Sequence, residues 1–243
     1  MPETQRDQTY RDLLRLDGLL DVALVRDAPD RMLFLVTHQI CEMWFALVLD
    51  HLDVARAAIL AGEPGVATDR IGRLPAIMRV LAAQFDVLAT LTPAVFEEIR
   101  SGLGTASGIQ SAQWREIEFA CGLRDPKYLG IPGFTEAERQ RLRVRLDEVS
   151  VADAYAQLAK QRRDSPLPGA LAEVDRLQTA MLDFDESVVA WRARHASLAE
   201  RFLGGRPGTA GSEGSAYLWR MTARRMFSNV WPLPAESGDE GRQ

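Results

Sequence analysis

The chain has 243 residues, 47% of them hydrophobic and 26% charged, with a formal net charge of -5. That length can bury a sizeable core in one or two domains, and the composition excludes global disorder and a fibrous repeat. The acidic balance argues against a nucleic-acid partner, and two cysteines cannot build a disulfide framework, a Cys-rich zinc site or an iron–sulfur cluster.

The N-terminus, MPETQRDQTYRD, is polar and has no apolar core of a secretory signal, so the sequence predicts a cytoplasmic protein. Apolar residues recur with a helical period, and strand-like alternation is rare. The pattern predicts helices over 8–24, 31–61, 67–90, 93–102, 111–123, 136–147, 151–162, 168–203 and 213–229, with a kink or break in the third at Pro75. Thr135 with Glu138 fits a capping box, Pro93 after Thr92 fits the first helical position, and Gly62 and Gly122 mark stops. Loops 101–111 and 204–215 are rich in small residues yet lie between long apolar helices, and loop 125–134 offers Tyr128, Ile131 and Phe134 as anchors. The arginine-dense run 139–145 is flanked by Glu136, Glu138, Asp147 and Glu148 and reads as a solvated helix face. No internal repeat or linker interrupts the chain. The reading is all-α: a single helical domain over 1–233, followed by a disordered polar tail at 234–243.

The longest apolar stretch, around 32–49, is broken by Thr37, His38, Gln39 and Glu42, which predicts a central core helix and not a membrane span. His38 shares a stripe with Phe34, Cys41 and Phe45, and the polar trio His38, Gln39 and Glu42 suggests that one side lines a pocket. His195 sits mid-stripe among Val188, Trp191, Leu198 and Phe202, with Arg192 and Arg194 beside it. Each histidine has two readings: a core imidazole satisfied by a carbonyl or carboxylate, or a group that serves a ligand. His51, next to Asp50, reads as structural or partly exposed.

Spacing prunes the metal chemistry. A carboxylate-bridged di-iron bundle needs Glu three residues before its histidines, and here those positions hold Leu35, Val48 and Arg192. H-E-x-x-H and C-x-x-C-H are both absent, which removes a zincin site and covalently attached haem. A b-type haem needs one axial imidazole, an apolar slot and cations for its propionates, and a buried His beside arginines can meet that list.

Four blocks carry a family resemblance: MLFLVTHQICEMWF (32–45), TLTPAVFEEIRSGLGTASGIQSAQWREIE (90–118), WRARH (191–195) and GTAGSEGSAYL (208–218). A weaker fifth is TYRDLLRLDGLL (9–20). In order and spacing they resemble the tryptophan 2,3-dioxygenases. The resemblance implies a homotetrameric enzyme with b-type haem that adds O2 across the indole C2=C3 bond of L-tryptophan or a tryptophan derivative, giving an N-formylkynurenine-type product. By the same resemblance His195 is the proximal iron ligand, with Trp191 and Arg192 beside it and Ser107 and Gly108 at the haem edge. His38 lies on the distal side near the indole N–H, where it positions substrate. Arg100 holds the substrate carboxylate, and Thr209 contacts its carboxylate and amino group. Phe34, Phe85 and Phe96 wall the indole. Residues 1–24 are exchanged between subunits, so that Tyr10 and Leu14 reach a neighbour's pocket. No nucleic acid or membrane partner is implied.

Departures from the family pattern fall at Ala210 and Glu213 in the glycine-rich loop, Ile109 in place of an aromatic, Pro29 and Arg31 before the first block, and Leu13 in place of a second N-terminal tyrosine. The chain is also shorter than a typical member. These keep two rivals in view. One is monooxygenation of a β-substituted tryptophan to a 2-oxindole with an external reductant. The other is a haem- or tryptophan-binding sensor without turnover.

Overall fold

A computed structural model describes residues 8–23, 28–163, 169–209 and 213–231. Among them every regular element is helical: α1 (Tyr10–Leu14), α2 (Leu16–Ala23), α3 (Pro29–Leu60), α4 (Pro64–Ile71), α5 (Leu74–Leu88), α6 (Pro93–Ser101), α7 (Ala112–Cys121), α8 (Glu136–Asp147), α9 (Val151–Arg163), α10 (Ala170–Leu203) and α11 (Ser215–Thr222). Single 3-10 turns at Gly108–Gln110 and Pro126–Gly130 complete the list. The expected tail at 234–243 lies outside the described residues.

Several boundaries follow from the predicted signals. Thr135 and Glu138 close a capping box, and Thr92 caps α6 with Pro93 in its first turn. The chain leaves α3 through Gly62 and α7 through Gly122, both at positive φ.

Three predicted helices end differently. The first is two helices, because Arg15 takes a left-handed conformation at φ 48° and closes α1. The third is likewise two: α4 stops at Gly72, and Pro75 sits in the first turn of α5, where its missing N–H costs nothing. The last runs only to Thr222 and not to 229. The cause is Asp185, fully buried on α10, which accepts the N–H groups of Met226 (2.9 Å), Phe227 (3.3 Å) and the Trp231 indole (2.7 Å). A buried carboxylate demands several donors, and turns after Thr222 deliver them where a continued helix could not.

The two long helices organise the rest. α3 packs on α4, α5, α7 and α9, and α10 packs on α4, α5, α6, α9 and α11. The main core between them includes Val48, Leu52, Leu81, Leu177, Met181 and Phe184. By length and hydropathy α3 would suffice to cross a bilayer. In this fold its apolar length is used for helix packing and for lining a cavity. Tyr128, Ile131 and Phe134 do anchor loop 125–134, in a smaller cluster with Phe119 and Leu142.

The solvated-face reading of 139–145 needs correction. Arg139 turns inward and donates to the carbonyls of Leu129, Ile131 and Phe134, and Arg145 pairs with Asp53. Arg141 and Arg143 remain exposed. His51 is buried at 6% exposure, so of its two readings the structural one applies.

Candidate active site

Between α3, α5, α6, α7, α10 and α11 lies a cavity of about 520 Å³, within the usual range of small-molecule sites. Its wall contains Phe34, His38, Phe85, Phe96, Arg100, Ser107, Gly108, Trp191, Arg192, His195 and Thr209. Residues spread over 175 positions of sequence thus converge on one space (Phe34 to Thr209).

His195 projects from α10, its ring stacked on Phe85 at 5.2 Å and 12° and adjoining Trp191 at 5.9 Å. Burial, with a smaller contribution from the nearby His38, lowers its pKa to about 4. The ring is therefore neutral at ordinary pH, with a nitrogen lone pair to donate.

His38, on α3, opens onto the same cavity. Its Nδ1 lies 2.7 Å from the Phe34 carbonyl, which can only accept, so Nδ1 carries the proton and Nε2 is left as an acceptor. Burial lowers its pKa, against the opposing pull of that carbonyl and of Glu42. The carbonyl partner expected of a satisfied core histidine is present, yet the ring belongs to the cavity wall. Both readings hold at once, because the backbone takes one nitrogen and frees the other.

The opposite region is shaped by α6. Phe96 stacks on Phe202 at 4.5 Å and 10°, and Phe34 approaches Phe96 at 6.2 Å. One turn beyond, Arg100 donates through Nη2 to the Pro207 carbonyl at 2.9 Å and through Nη1 to Glu97 at 3.3 Å. Its Nε is shut off from solvent without a partner. Pro207 belongs to the glycine-rich segment, so Arg100 ties α6 to the loop bearing Thr209. Gly214 fixes the far side of that loop: its φ is +65°, and a Cβ there would lie 2.5 Å from the Arg206 carbonyl. On another rim, the Ser107 N–H donates to Gln110 Oε1, and Gln110 Nε2 reaches the Pro132 carbonyl. A Cβ at Gly108 would meet nothing within 4 Å, which leaves that edge open.

Some sequence candidates are employed elsewhere. Arg192 borders the cavity, but its guanidinium is committed to Glu118 Oε1 (2.7 Å) and to the carbonyls of Met221 and Arg224. Arg194 pairs with Asp86 on the exposed side of α10. Of the polar trio on α3, His38 and Glu42 line the cavity, while Gln39 donates to the Val22 carbonyl and holds α2. Tyr10 and Leu14 are 73% and 42% exposed and take no part in their own chain's cavity.

Sequence reasoning passed over Glu118, which joins two arginines of the cavity wall. Glu118, fully buried, accepts from Arg115 at 2.6 Å and from Arg192 at 2.7 Å. Arg115 also lies over the Tyr128 ring at 4.2 Å. The signal was present in α7, AQWREIEFAC, where Arg115 and Glu118 lie three apart and so share a face. Gln113, in the same run, donates to Glu42 Oε2 at 2.8 Å.

Among the described residues no group of three or more His, Cys, Asp or Glu could hold a bare metal ion. A cofactor that brings its own equatorial ligands needs only one protein imidazole. His195 offers a neutral one in an apolar wall of Phe85, Phe45 and Trp114, beside the buried and unpartnered Trp191 Nε1. The residues present therefore fit the axial and apolar needs of a b-type haem, while the arginines beside His195 are taken by Glu118 and Asp86 and do not serve its propionates.

Comparison with known proteins gives the same family as the quoted blocks. The family model for tryptophan 2,3-dioxygenase matches residues 2–166, which include His38 and Arg100. Curated relatives extend the match past His195 and Thr209. A tryptophan 2,3-dioxygenase of Nocardioides sp. is 38% identical over 94% of this chain and 94% of its own length. Those of Caulobacter vibrioides and Herpetosiphon aurantiacus are 33% and 32% identical, each over 94% of this chain and 98% of their own length. Against these relatives the chain is not unusually short. The chain belongs to the tryptophan 2,3-dioxygenase family.

Proposed function

We propose that the chain is a haem-dependent dioxygenase that opens the indole ring of L-tryptophan between C2 and C3. The observation that carries this is the meeting of His195, His38, Arg100 and Thr209 in one cavity, within a chain of this family. Both atoms of one O2 enter the product, one at each carbon of the broken bond, so no outside electrons are needed. A bound haem supplies the iron that activates O2, with His195 as its protein ligand.

The chain's own residues do the rest. His38, protonated at Nδ1, accepts the indole N–H at Nε2 and fixes which edge of the ring is presented. Phe34 and Phe96 exclude water around the ring, while Phe85, stacked on His195, walls the imidazole side of the cavity. Arg100 suits a carboxylate through its forked donors, and the Thr209 hydroxyl serves the amino-acid end. The Phe34 carbonyl holds the proton on Nδ1 and leaves Nε2 to the indole N–H, and the role assigned to His38 is orientation, not that of an obligatory base.

The exposed apolar side chains of α1 and α2, Tyr10, Leu13, Leu14, Leu19 and Leu20, support exchange of the N-terminal segment in a homotetramer. The shared packing of α3 and α10 supports one domain. The single-oxygen rival draws on the loop: Glu213 pairs with Arg220 of α11, a charged contact in a segment that borders the substrate region.

Aerobic turnover of L-tryptophan and of β-methyl-tryptophan, with and without reductant and with mass analysis of products, separates the readings. Gain of both oxygens without reductant supports the proposal. Gain of one, only with reductant, overturns it for the oxindole reaction. No oxygen consumption with any indole amino acid, in a protein that binds haem, would leave a sensor.

A further inference from the structure

Arg100 is held by more than its own helix. Its Nη1 contacts Glu97 Oε1 at 3.3 Å. The other oxygen of that carboxylate, Oε2, is shut off from solvent and forms an ion pair with Arg206 Nη1 at 3.0 Å, without a hydrogen bond. Arg206 is itself fixed, because its Nε and Nη2 donate to the carbonyls of Leu203 and Phe202 at 3.1 Å each, at the end of α10. The next residue, Pro207, supplies the carbonyl that receives Arg100 Nη2 at 2.9 Å. The end of the helix bearing His195 thus grips Arg100 at two points, directly through Pro207 and indirectly through Glu97.

We infer that Glu97 is a positioning residue: it bridges Arg206 to Arg100 and sets the direction in which the Arg100 guanidinium meets a substrate carboxylate. A free arginine side chain samples many rotamers, and each must be given up when an anion is clamped in one geometry. Two fixed acceptors on separate nitrogens remove most of that freedom before substrate arrives. The stacked Phe96 and Phe202 rings keep α6 and α10 in register, so the bridge spans two rigid elements. The charges also leave an opening. Glu97 stands between Arg100 and Arg206, so the trio carries one net positive charge, as reception of a single carboxylate requires. This rests on the reading of Arg100 as the carboxylate clamp.

The test measures equilibrium binding of L-tryptophan and of tryptamine, which lacks the carboxylate, to the haem-loaded full chain by calorimetry. Glu97→Ala is expected to weaken L-tryptophan about three- to fivefold, the effect of losing a partly exposed ion pair. Tryptamine is expected to be unchanged. Glu97→Gln keeps an acceptor for Arg100 and should stay within about twofold of the parent, as an orienting role demands. In an Arg100→Ala background, Glu97→Ala should have no further effect. Equal weakening of both ligands, no weakening of either, or a Gln variant as impaired as the Ala variant would each overturn the inference. Should the Ala variant not fold, Glu97→Met at matched length takes its place with the same outcomes. If Arg100→Ala itself leaves L-tryptophan binding intact, the clamp reading fails first, and that result is distinct from a failure at Glu97.

Discussion

Replacing Glu118 by Gln should be one of the most damaging single-atom exchanges in the molecule. Its carboxylate is fully buried, with Oε2 at 2.6 Å from Arg115 Nη1 and Oε1 at 2.7 Å from Arg192 Nη2. Both arginine side chains are 4% exposed, so neither can turn to water for compensation. An amide keeps one acceptor, but it sets an NH2 group against a guanidinium and leaves two buried cations without an anion bonded to them. Breaking a buried pair from one side costs about 3–5 kcal/mol. In a chain of this size each kcal/mol lowers Tm by about 2–4 °C, so the loss should be roughly 6–20 °C in a thermal scan followed by far-UV circular dichroism. The site should suffer too. Arg192 lies one turn before His195 on α10 and holds the carbonyls of Met221 and Arg224, so its release loosens the wall that carries His195. Haem loading should fall alongside Tm. A variant within about 2 °C of the parent, with normal haem loading, would refute the view that this pair braces the cavity.

Four other outcomes follow from named contacts. His38→Ala should turn over L-tryptophan more slowly but not stop, since orientation and not proton transfer is lost; complete inactivity with intact haem and substrate binding would argue for a true base. For the intact enzyme, the lowered His38 pKa means the Nε2 acceptor is lost only on acidification, so L-tryptophan affinity should be flat from pH 8 to about 6.5 and weaken below. Gly214→Ala forces a Cβ to 2.5 Å from the Arg206 carbonyl at a positive φ, so substrate KM should rise while haem content holds; an unchanged KM would show that this turn does not shape the site. Cys41 faces the cavity, but burial and the Glu42 carboxylate push its pKa up to about 12, so it should resist iodoacetamide at pH 8 in the folded protein; rapid alkylation there would refute a buried, protonated thiol.

The helices, and the facing of His38 and His195 toward one interior cavity, were legible in the sequence because periodicity reports which face of a helix is packed. A stripe such as Val188, Trp191, His195, Leu198 and Phe202 leaves no other way to place the imidazole. The capping signals were local and therefore readable. What escaped was long-range. Nothing near Asp185 announces that it will gather three donors from 41 to 46 residues away and so end α11 early. Nor does Arg194 differ in pattern from Arg192, yet α10 directs one outward to Asp86 and the other inward to Glu118. Arg139 looked like surface charge because its partners are backbone carbonyls, which carry no sequence signature at all.

The same long-range pairing explains how a cavity with four charged residues in its wall can serve an apolar ring. Glu42 is bonded to Gln113, and Arg115 and Arg192 share Glu118. At that side the charges are answered within the protein, and both imidazoles are held toward their neutral forms by burial. Arg100 differs: its partners are a carbonyl and a carboxylate already shared with Arg206. A zwitterionic amino acid entering such a space meets one under-satisfied cation at the α6 side, and, with the His195 lone pair reserved for the cofactor, its indole has the His38 acceptor to find. Two fixed points and apolar walls define one orientation, and that is enough to decide which indole bond faces the cofactor.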